Sequence, residues 1–309
     1  MASASGPDRS SKKDRREAAR EKARIMREEA QRKAKRRRWI VQGSVSVAVL
    51  AVLAIIALVV VTSIKPAGPG PKNMAGGGIL LTSTTKVVST PAMAADSTPK
   101  PAAVLKDKSV AHITTYVDYQ CPYCDQFETT NNTQIGQWLD SGAATLEVHP
   151  VAILDTAGND KYSTRAANAA ACVANDKPSA FFAVNSALFE NQPQEGGSGL
   201  SDSKLLSILK GAGASSSAIT SCVKDGTYSS WVTAQTTTAK STPALQNPRS
   251  GSFGTPVVLV NGKMYPGSLT DASAFLSFVS STVSAAAGDG SGSTPTSTST
   301  PTPTSTPAG

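Results

Sequence analysis

Cysteine and histidine are scarce in this sequence of 309 residues, which contains four of the first and two of the second. A structural zinc site is normally built from four such ligands, often in closely spaced pairs. Cys121 and Cys124 form one close pair, and the remaining cysteines and histidines form no second one. The shortage argues against zinc, and we predict no metal site.

The excess of positive charge is confined to one end of the chain. Residues 1–38 hold 15 Lys and Arg against 6 Asp and Glu, whereas residues 39–309 hold 15 against 16. The first segment alone therefore sets the basic balance, and the high isoelectric point says nothing about the globular part. We interpret residues 1–38 as a basic cytoplasmic tail and predict no nucleic-acid partner. Contact of this tail with nucleic acid or anionic lipid is the alternative to a purely topogenic role.

Only one apolar run is long enough to cross a membrane. Residues 40–64 contain no charged residue, and at about 1.5 Å per residue they can span roughly 30 Å of hydrocarbon. The preceding basic segment predicts a cytoplasmic N-terminus and an extracytoplasmic remainder. We predict a single-pass cell-membrane protein anchored by residues 39–64. A cleaved signal peptide is the alternative, but the apolar run and the basic region are longer than signal peptides use.

Composition divides the rest of the chain into three parts. Residues 65–103 are rich in Pro, Gly, Ser, Thr and Ala, which predicts a flexible linker. Residues 288–309 repeat Ser, Thr, Pro and Gly without apolar periodicity, which predicts a disordered tail. Residues 104–287 remain and are long enough for one domain with a sizeable core.

Periodicity within this domain predicts an alternation of strands and helices. The predicted strands cover residues 110–119, 144–153, 255–260 and 263–265, and Asn261-Gly262 is typical of a type I′ hairpin turn. A helix is expected after the first strand, and others are expected at 161–175, 178–191, 202–210, 218–224, 228–240 and 271–287. The domain is therefore predicted to be α/β, with a helical insertion at about 155–245.

Cys121-Pro122-Tyr123-Cys124 lies at the junction between the first strand and its helix. A C-x-x-C at such a junction is typical of a thiol–disulfide redox site. The N–H groups and dipole of the helix favour a thiolate at Cys121, and Cys124 is one turn away. A purely structural disulfide is a weak alternative, because so short a loop restrains little of the unfolded chain.

Two separated motifs together resemble one known family. Val117 to Cys124, followed by Phe127 and Glu128, is similar to the active-site region of DsbA-like thioredoxin-fold proteins, and Gly254-Thr255-Pro256 with the strand and hairpin after it is similar to their later signature. The basic tail and anchor resemble the membrane-tethered members of actinobacteria. The resemblance implies an α/β thioredoxin fold with an inserted helical subdomain, preceded here by a transmembrane helix and flanked by disordered tails.

The resemblance also implies residue roles. Cys121 would be the exposed nucleophile and Cys124 the buried resolving thiol, with Pro122 and Tyr123 tuning the site. A neutral Tyr123 is expected to make the site less oxidising than a histidine would. Pro256 would be cis, so that the backbone of Thr255 could bind a substrate strand; an ordinary trans proline is the alternative.

One position departs from the family pattern. Relatives often carry a buried acid six residues before the first cysteine, where this chain has Thr115. Asp118 is then the nearest acid before Cys121, and either it or water is left as proton acceptor for Cys124.

The other two cysteines, Cys172 and Cys222, both fall in the predicted helical insertion. An even cysteine count and an extracytoplasmic location favour a structural disulfide between them. Two buried free thiols acting as small hydrophobes are the alternative.

These observations predict an extracytoplasmic thiol–disulfide oxidoreductase that acts on exported proteins with cysteine thiols, most simply as an oxidase. No cofactor is expected, and the resemblance implies a quinone-linked membrane redox partner. The alternatives are a reductase or isomerase of the same fold, and a tethered binding or sensing module without turnover.

Overall fold

A computed structural model describes residues 68–95, 97, 107 and 109–288, together with positions 17, 20–29, 31–33, 35, 36 and 39 near the N-terminus. The chain divides into two units, residues 1–65 and 66–309. The described positions of the first unit are helical. Apart from Trp39, the predicted anchor lies outside the described residues, as does the predicted disordered tail after Gly288. No helix among the described residues is both long and apolar enough to cross a membrane.

Six strands form one sheet in the second unit, in the order β2-β1-β4-β3-β5-β6. They are β1 (Ile79–Ser83), β2 (Lys86–Val87), β3 (Ala111–Val117), β4 (Ala144–Pro150), β5 (Val257–Val260) and β6 (Lys263–Met264). The central pair, β3 and β4, is parallel, and every other pair is antiparallel. The parallel pair requires a crossover connection, which the first helix of the domain supplies.

The helices of this unit begin with that crossover and continue through the insertion. They are α1 (Pro122–Asp140), α2 (Tyr162–Asp176), α3 (Phe181–Glu190), α4 (Asp202–Gly211), α5 (Ser217–Asp225), α6 (Ser229–Ser241) and α7 (Ala272–Gly288). Short 3₁₀ turns at Pro178–Ala180 and Pro243–Leu245 precede α3 and follow α6. The predicted α/β class and helical insertion are therefore confirmed, with the boundaries of the predicted strands and helices shifted by no more than three residues.

Helix α1 joins the sheet to the rest of the core. Its buried face contains Cys124, Phe127, Ile135 and Leu139, at the spacing of one helical face. The ring of Phe127 meets that of Phe275 on α7 edge to face, with centroids 5.1 Å apart. This packing fixes α1 against the sheet, and the first turn of α1 carries the cysteine pair.

The predicted flexible linker is wrong for the described residues between 68 and 95. Strand β1 pairs with β4 through Ile79, Leu80 and Leu81, and Met74, Ile79 and Leu81 are fully buried. These apolar side chains occupy core positions, and β4 supplies hydrogen-bond partners for the backbone of β1. The prediction failed because β1 is short and lies among Pro, Gly and Thr residues, and because its partner strand is more than 60 positions away in the sequence.

The predicted hairpin between β5 and β6 is confirmed. Asn261 and Gly262 have φ values of 47° and 79°, which is the left-handed conformation that both central residues of a type I′ turn require. The backbone nitrogen of Asn261 donates to the oxygen of His112, so the turn is attached to β3. The antiparallel pairing of β5 with β3, in which Val257 lies opposite Tyr116, places the Thr255-Pro256 segment at the C-terminal end of β3.

Candidate active site

The cysteine pair lies where β3 passes into α1. Cys121 is the N-cap of α1, and Pro122 occupies the first helical position, where its missing N–H costs no hydrogen bond. The Cys121 carbonyl oxygen accepts from the backbone nitrogens of Cys124 and Asp125 over 3.0 and 3.2 Å. The backbone amides of Tyr123 and Cys124, in the first turn of α1, help to lower the pKa of the Cys121 thiol.

The two cysteines are buried, whereas Tyr123, which lies between them in the sequence, is exposed to solvent. Cys124 is fully buried, and only 5% of Cys121 is exposed, whereas Tyr123 is 58% exposed. The expectation of an exposed nucleophile at Cys121 is therefore wrong for the described conformation. The physical reason is the backbone of Thr255, which lies against its Sγ. A substrate must approach along this backbone.

The surroundings of the two sulfurs drive their pKa values apart. The pKa of Cys121 is lowered to about 6, and the largest cause is a hydrogen bond from the Cys124 thiol. Burial opposes this shift, whereas hydrogen bonds with Thr255 and with the amides of Cys124 and Tyr123 add to it. Burial, together with the hydrogen bond to Cys121 and its charge, raises the pKa of Cys124 well above its usual value. At neutral pH the reduced pair therefore holds a thiolate at Cys121 and a thiol at Cys124.

Thr255 and Pro256 stand beside the redox turn, although they are more than 130 residues away in the sequence. The peptide bond between them is cis. In its protonated form, the Cys121 thiol donates to the carbonyl oxygen of Thr255 over 3.3 Å. The two motifs of the sequence thus form one site, with the backbone of Thr255 next to the reactive sulfur.

The Asp118 carboxylate is hydrogen-bonded to the backbone of the redox turn and of the segment after β4. Its carboxylate accepts hydrogen bonds from the backbone nitrogens of Gln120, Ile153 and Leu154 over 2.8–3.0 Å. Burial nevertheless raises the pKa of this carboxyl. Because its oxygens are engaged by these amides, Asp118 fastens the redox turn to the segment after β4.

Thr115 is fully buried, and its Oγ1 has no hydrogen-bond partner in the described part of the chain. A buried acid is present elsewhere, at Glu128, one helical turn after Cys124. Burial raises the pKa of Glu128 to about 7, a hydrogen bond to Asn185 opposes this shift, and the charge of Asp125 adds to it. Sequence analysis included Glu128 in the motif that resembles the family but assigned it no role, although its i+4 spacing from Cys124 places both on the buried face.

A buried polar network connects this acid to the start of the redox turn. The Tyr119 hydroxyl donates to Asn185 Oδ1 over 3.0 Å, and the Asn185 side chain also lowers the pKa of Glu128. Asn185 belongs to α3, so the network joins the helical insertion to the redox turn, which is formed by residues 118–124. No motif in the sequence signals Asn185.

Gln192 forms a second link between the insertion and the redox turn. Its Nε2 donates to the carbonyl oxygens of Tyr119 and Cys121 over 3.2 and 3.0 Å. Gln120 accepts from Asn159 Nδ2 over 2.6 Å on the other side of the turn. Sequence analysis identified none of these amides, because glutamine and asparagine in loops carry no periodic signal.

Cys172 and Cys222 lie apart from this site, on α2 and α5. They are bonded to each other, with Cα atoms 5.9 Å apart and a separation of 50 positions in the sequence. Cys121 and Cys124 are present as free thiols. The structure therefore assigns two cysteines to the scaffold and two to the redox turn.

A groove of about 380 Å³ opens beside the site. It runs from Tyr123 and the segment 254–258 towards the residues after β6, and the loop 247–252 forms one wall. Its walls are mostly apolar, with contributions from Leu245, Pro248, Pro256, Val257, Val258, Met264, Pro266 and Leu269. The groove can accept an extended peptide next to Thr255.

Comparisons with known proteins agree with this geometry. The sequence family described as thioredoxin matches residues 98–279. The reduced disulfide bond oxidoreductase DsbG of Mycobacterium tuberculosis is 28% identical, with a TM-score of 0.52, over 69% of this chain and 94% of that one. Reduced DsbA of the same organism is 27% identical, with a TM-score of 0.51, over 70% and 100% of the two chains. The comparison with curated protein sequences finds no match.

Proposed function

The chain belongs to the thioredoxin family and is a thiol–disulfide oxidoreductase, and from this premise we propose that it introduces disulfides into exported proteins. Cys121 is the sulfur that exchanges with substrate, and Cys124 is its partner. The observation that carries the proposal is the contrast between the two thiols: Cys121 has a pKa lowered to about 6, whereas Cys124 is held protonated.

In the oxidising direction the reaction takes two exchange steps. A substrate thiolate attacks Sγ of Cys121 in the Cys121–Cys124 disulfide, and Cys124 leaves as a thiolate that takes up a proton. A second substrate thiolate attacks the substrate sulfur of the mixed disulfide and displaces Cys121 as a thiolate. The substrate has lost two electrons and gained a disulfide, and the enzyme holds the reduced pair.

The lowered pKa of Cys121 favours this direction. With a pKa of about 6, ionisation at pH 7 stabilises the reduced form by roughly 1 kcal/mol relative to an un-ionised thiol, which raises the reduction potential by roughly 20–30 mV. The thiolate is also the better leaving group in the second exchange. The pKa lies between those of a thioredoxin, about 7, and of DsbA, about 3.5.

We propose that the domain acts outside the cytoplasm, anchored by residues 39–64, and that a quinone-linked membrane protein reoxidises it by accepting two electrons. The apolar run with its basic flank supports the location. The Cys172–Cys222 disulfide supports it independently, because such bonds persist in oxidising compartments.

The deciding experiment is redox equilibration of the full chain with glutathione. A Cys121–Cys124 potential near or above about −180 mV supports the oxidase, whereas a value near about −270 mV overturns it in favour of a reductase. An insulin-reduction assay of the wild type and Cys121→Ser tests exchange itself. Equal rates in the two proteins would show that Cys121 does not exchange with substrate, and would favour a tethered binding or sensing module.

A further inference from the structure

The groove beside Thr255 lies next to the Cys121 sulfur that exchanges with substrate. Thr255 lines the groove, and its carbonyl oxygen accepts from the Cys121 thiol. A substrate segment whose cysteine reaches Cys121 must therefore pass the mouth of the groove. Side chains within a few residues of that cysteine then meet the groove walls, because an extended chain advances about 3.3 Å per residue.

The groove wall carries one isolated charge. Among the described residues that line it, Arg249 is the only one with a charged side chain. The structure records no ion pair to its guanidinium from the described residues. Asp271, which lies near Tyr265 at the far end, is engaged by the backbone nitrogens of Ser273 and Ala274 at the start of α7.

The loop that presents Arg249 is folded by its own hydrogen bonds. Asn247 Oδ1 accepts from the backbone nitrogens of Arg249 and Ser250 over 2.8 and 3.3 Å. The Asn247 nitrogen donates to the oxygen of Ser252 over 2.9 Å, and its oxygen accepts from Gly251 over 2.8 Å. The loop therefore holds the backbone of Arg249 at a defined place on the groove wall.

We propose that Arg249 is a specificity-determining residue, which favours substrate segments that carry Asp or Glu within a few residues of the exchanging cysteine. The inference rests on the proposed function, because it concerns the polypeptide that occupies the groove during exchange. Arg249 offers a guanidinium suited to carboxylates, and an apolar groove with a single positive charge disfavours a basic side chain at the same position.

The test uses the reduced full-chain protein and a set of synthetic peptides with one cysteine each. The cysteine is activated as a disulfide with thionitrobenzoate, so that attack by the Cys121 thiolate on the peptide sulfur releases coloured thionitrobenzoate anion. Glu, Gln or Lys is placed in turn at each position from three before to three after the cysteine. At one or more positions the Glu peptide is expected to react roughly two- to five-fold faster than the Lys peptide at low salt, the range expected for one exposed ion pair.

Variants then assign the preference to Arg249. Arg249→Gln is expected to abolish the Glu-to-Lys rate ratio, Arg249→Glu to invert it, and Arg249→Lys to retain it. Lys263→Glu, which reverses an exposed charge outside the groove lining, is the matched control and is expected to leave the ratio unchanged. Each ratio is measured within one protein, so a partial loss of stability does not distort it.

The outcomes separate this inference from the proposed function. Exchange with the Gln peptide, together with a Glu-to-Lys ratio that is the same in all Arg249 variants, overturns the specificity role alone. Absence of exchange with every peptide overturns both. A ratio that follows the charge at position 249 and falls as salt is raised supports the inference.

Discussion

The side-chain amide of Gln192 donates a hydrogen bond to the carbonyl oxygen of Cys121 over 3.0 Å. Gln192 lies in the connection between α3 and α4, so the helical insertion contacts the backbone of the reactive cysteine directly. The same amide holds the carbonyl of Tyr119. The position of Cys121 therefore depends on the insertion as well as on α1.

Gln192→Ala should loosen the redox turn. The substitution removes two partly buried hydrogen bonds, each worth about 0.5–1.5 kcal/mol, so we expect a lower free energy of unfolding and slower exchange with peptide disulfides. Denaturant unfolding and thionitrobenzoate release measure the two effects. Gln194→Ala is the control, because only the backbone oxygen of Gln194 accepts from the turn. Equal losses in the two variants would contradict a positioning role for Gln192.

The largest contribution to the low pKa of Cys121 comes from the Cys124 thiol. Replacing Cys124 by Ala should therefore raise the pKa of Cys121 from about 6, whereas Cys124→Ser, which keeps a hydrogen-bond donor, should raise it less. The rate of alkylation by iodoacetamide as a function of pH reports the thiolate in each protein. If Ala and Ser give the same pKa, the hydrogen bond between the two thiols is not its main cause.

Glu128 should make stability depend on pH. Its pKa is raised from 4.5 to about 7 in the folded state, so between these values the folded protein holds a proton that the unfolded chain releases. The free energy of unfolding should then fall as pH rises through this window, by up to about 3 kcal/mol. Glu128→Gln removes this contribution, so its stability relative to the wild type should be higher at pH 8 than at pH 4. A difference that is constant with pH would contradict the shifted pKa.

The Cys172–Cys222 disulfide should contribute stability without taking part in exchange. It closes a separation of 50 residues, which corresponds to about 4 kcal/mol in the chain-entropy account. The double replacement by Ala is expected to lower the free energy of unfolding in urea by this order and to retain thionitrobenzoate release. Loss of exchange in a double variant that is still folded would give these cysteines a redox role.

The segment before residue 104 should be required for a stable domain. A chain that begins at residue 68 keeps Met74, Ile79 and Leu81, each of which is buried and contributes roughly 1.5–3 kcal/mol. A chain that begins at residue 104 loses them and leaves β4 without its antiparallel partner. We expect the shorter chain to unfold at lower denaturant or to aggregate. Equal unfolding midpoints would show that β1 is dispensable.

Most of the domain could be predicted because its signals are local. The C-x-x-C motif, the Asn261-Gly262 turn and the helical periodicities each occupy a few neighbouring residues, and the two separated motifs together indicated the thioredoxin fold with a helical insertion, which is confirmed. Strand β1 escaped prediction because its pairing with β4 is not local. The polar side chains Asn185, Gln192 and Asn159 escaped it because their hydrogen bonds exist only after the insertion has folded onto the redox turn. The anchor at residues 39–64 stays a prediction.

The two outermost strands of the described sheet, β2 and β6, are each two residues long and begin with an exposed lysine, Lys86 and Lys263. A short edge offers few unpaired backbone groups, and a lysine there resists burial beneath an added strand. A protein that handles unfolded polypeptides is exposed to chains with free strand-forming segments. Under the proposed function, these short edge strands therefore disfavour self-assembly and the accumulation of client chains, while the backbone of Thr255 stays available for a brief and reversible contact with substrate.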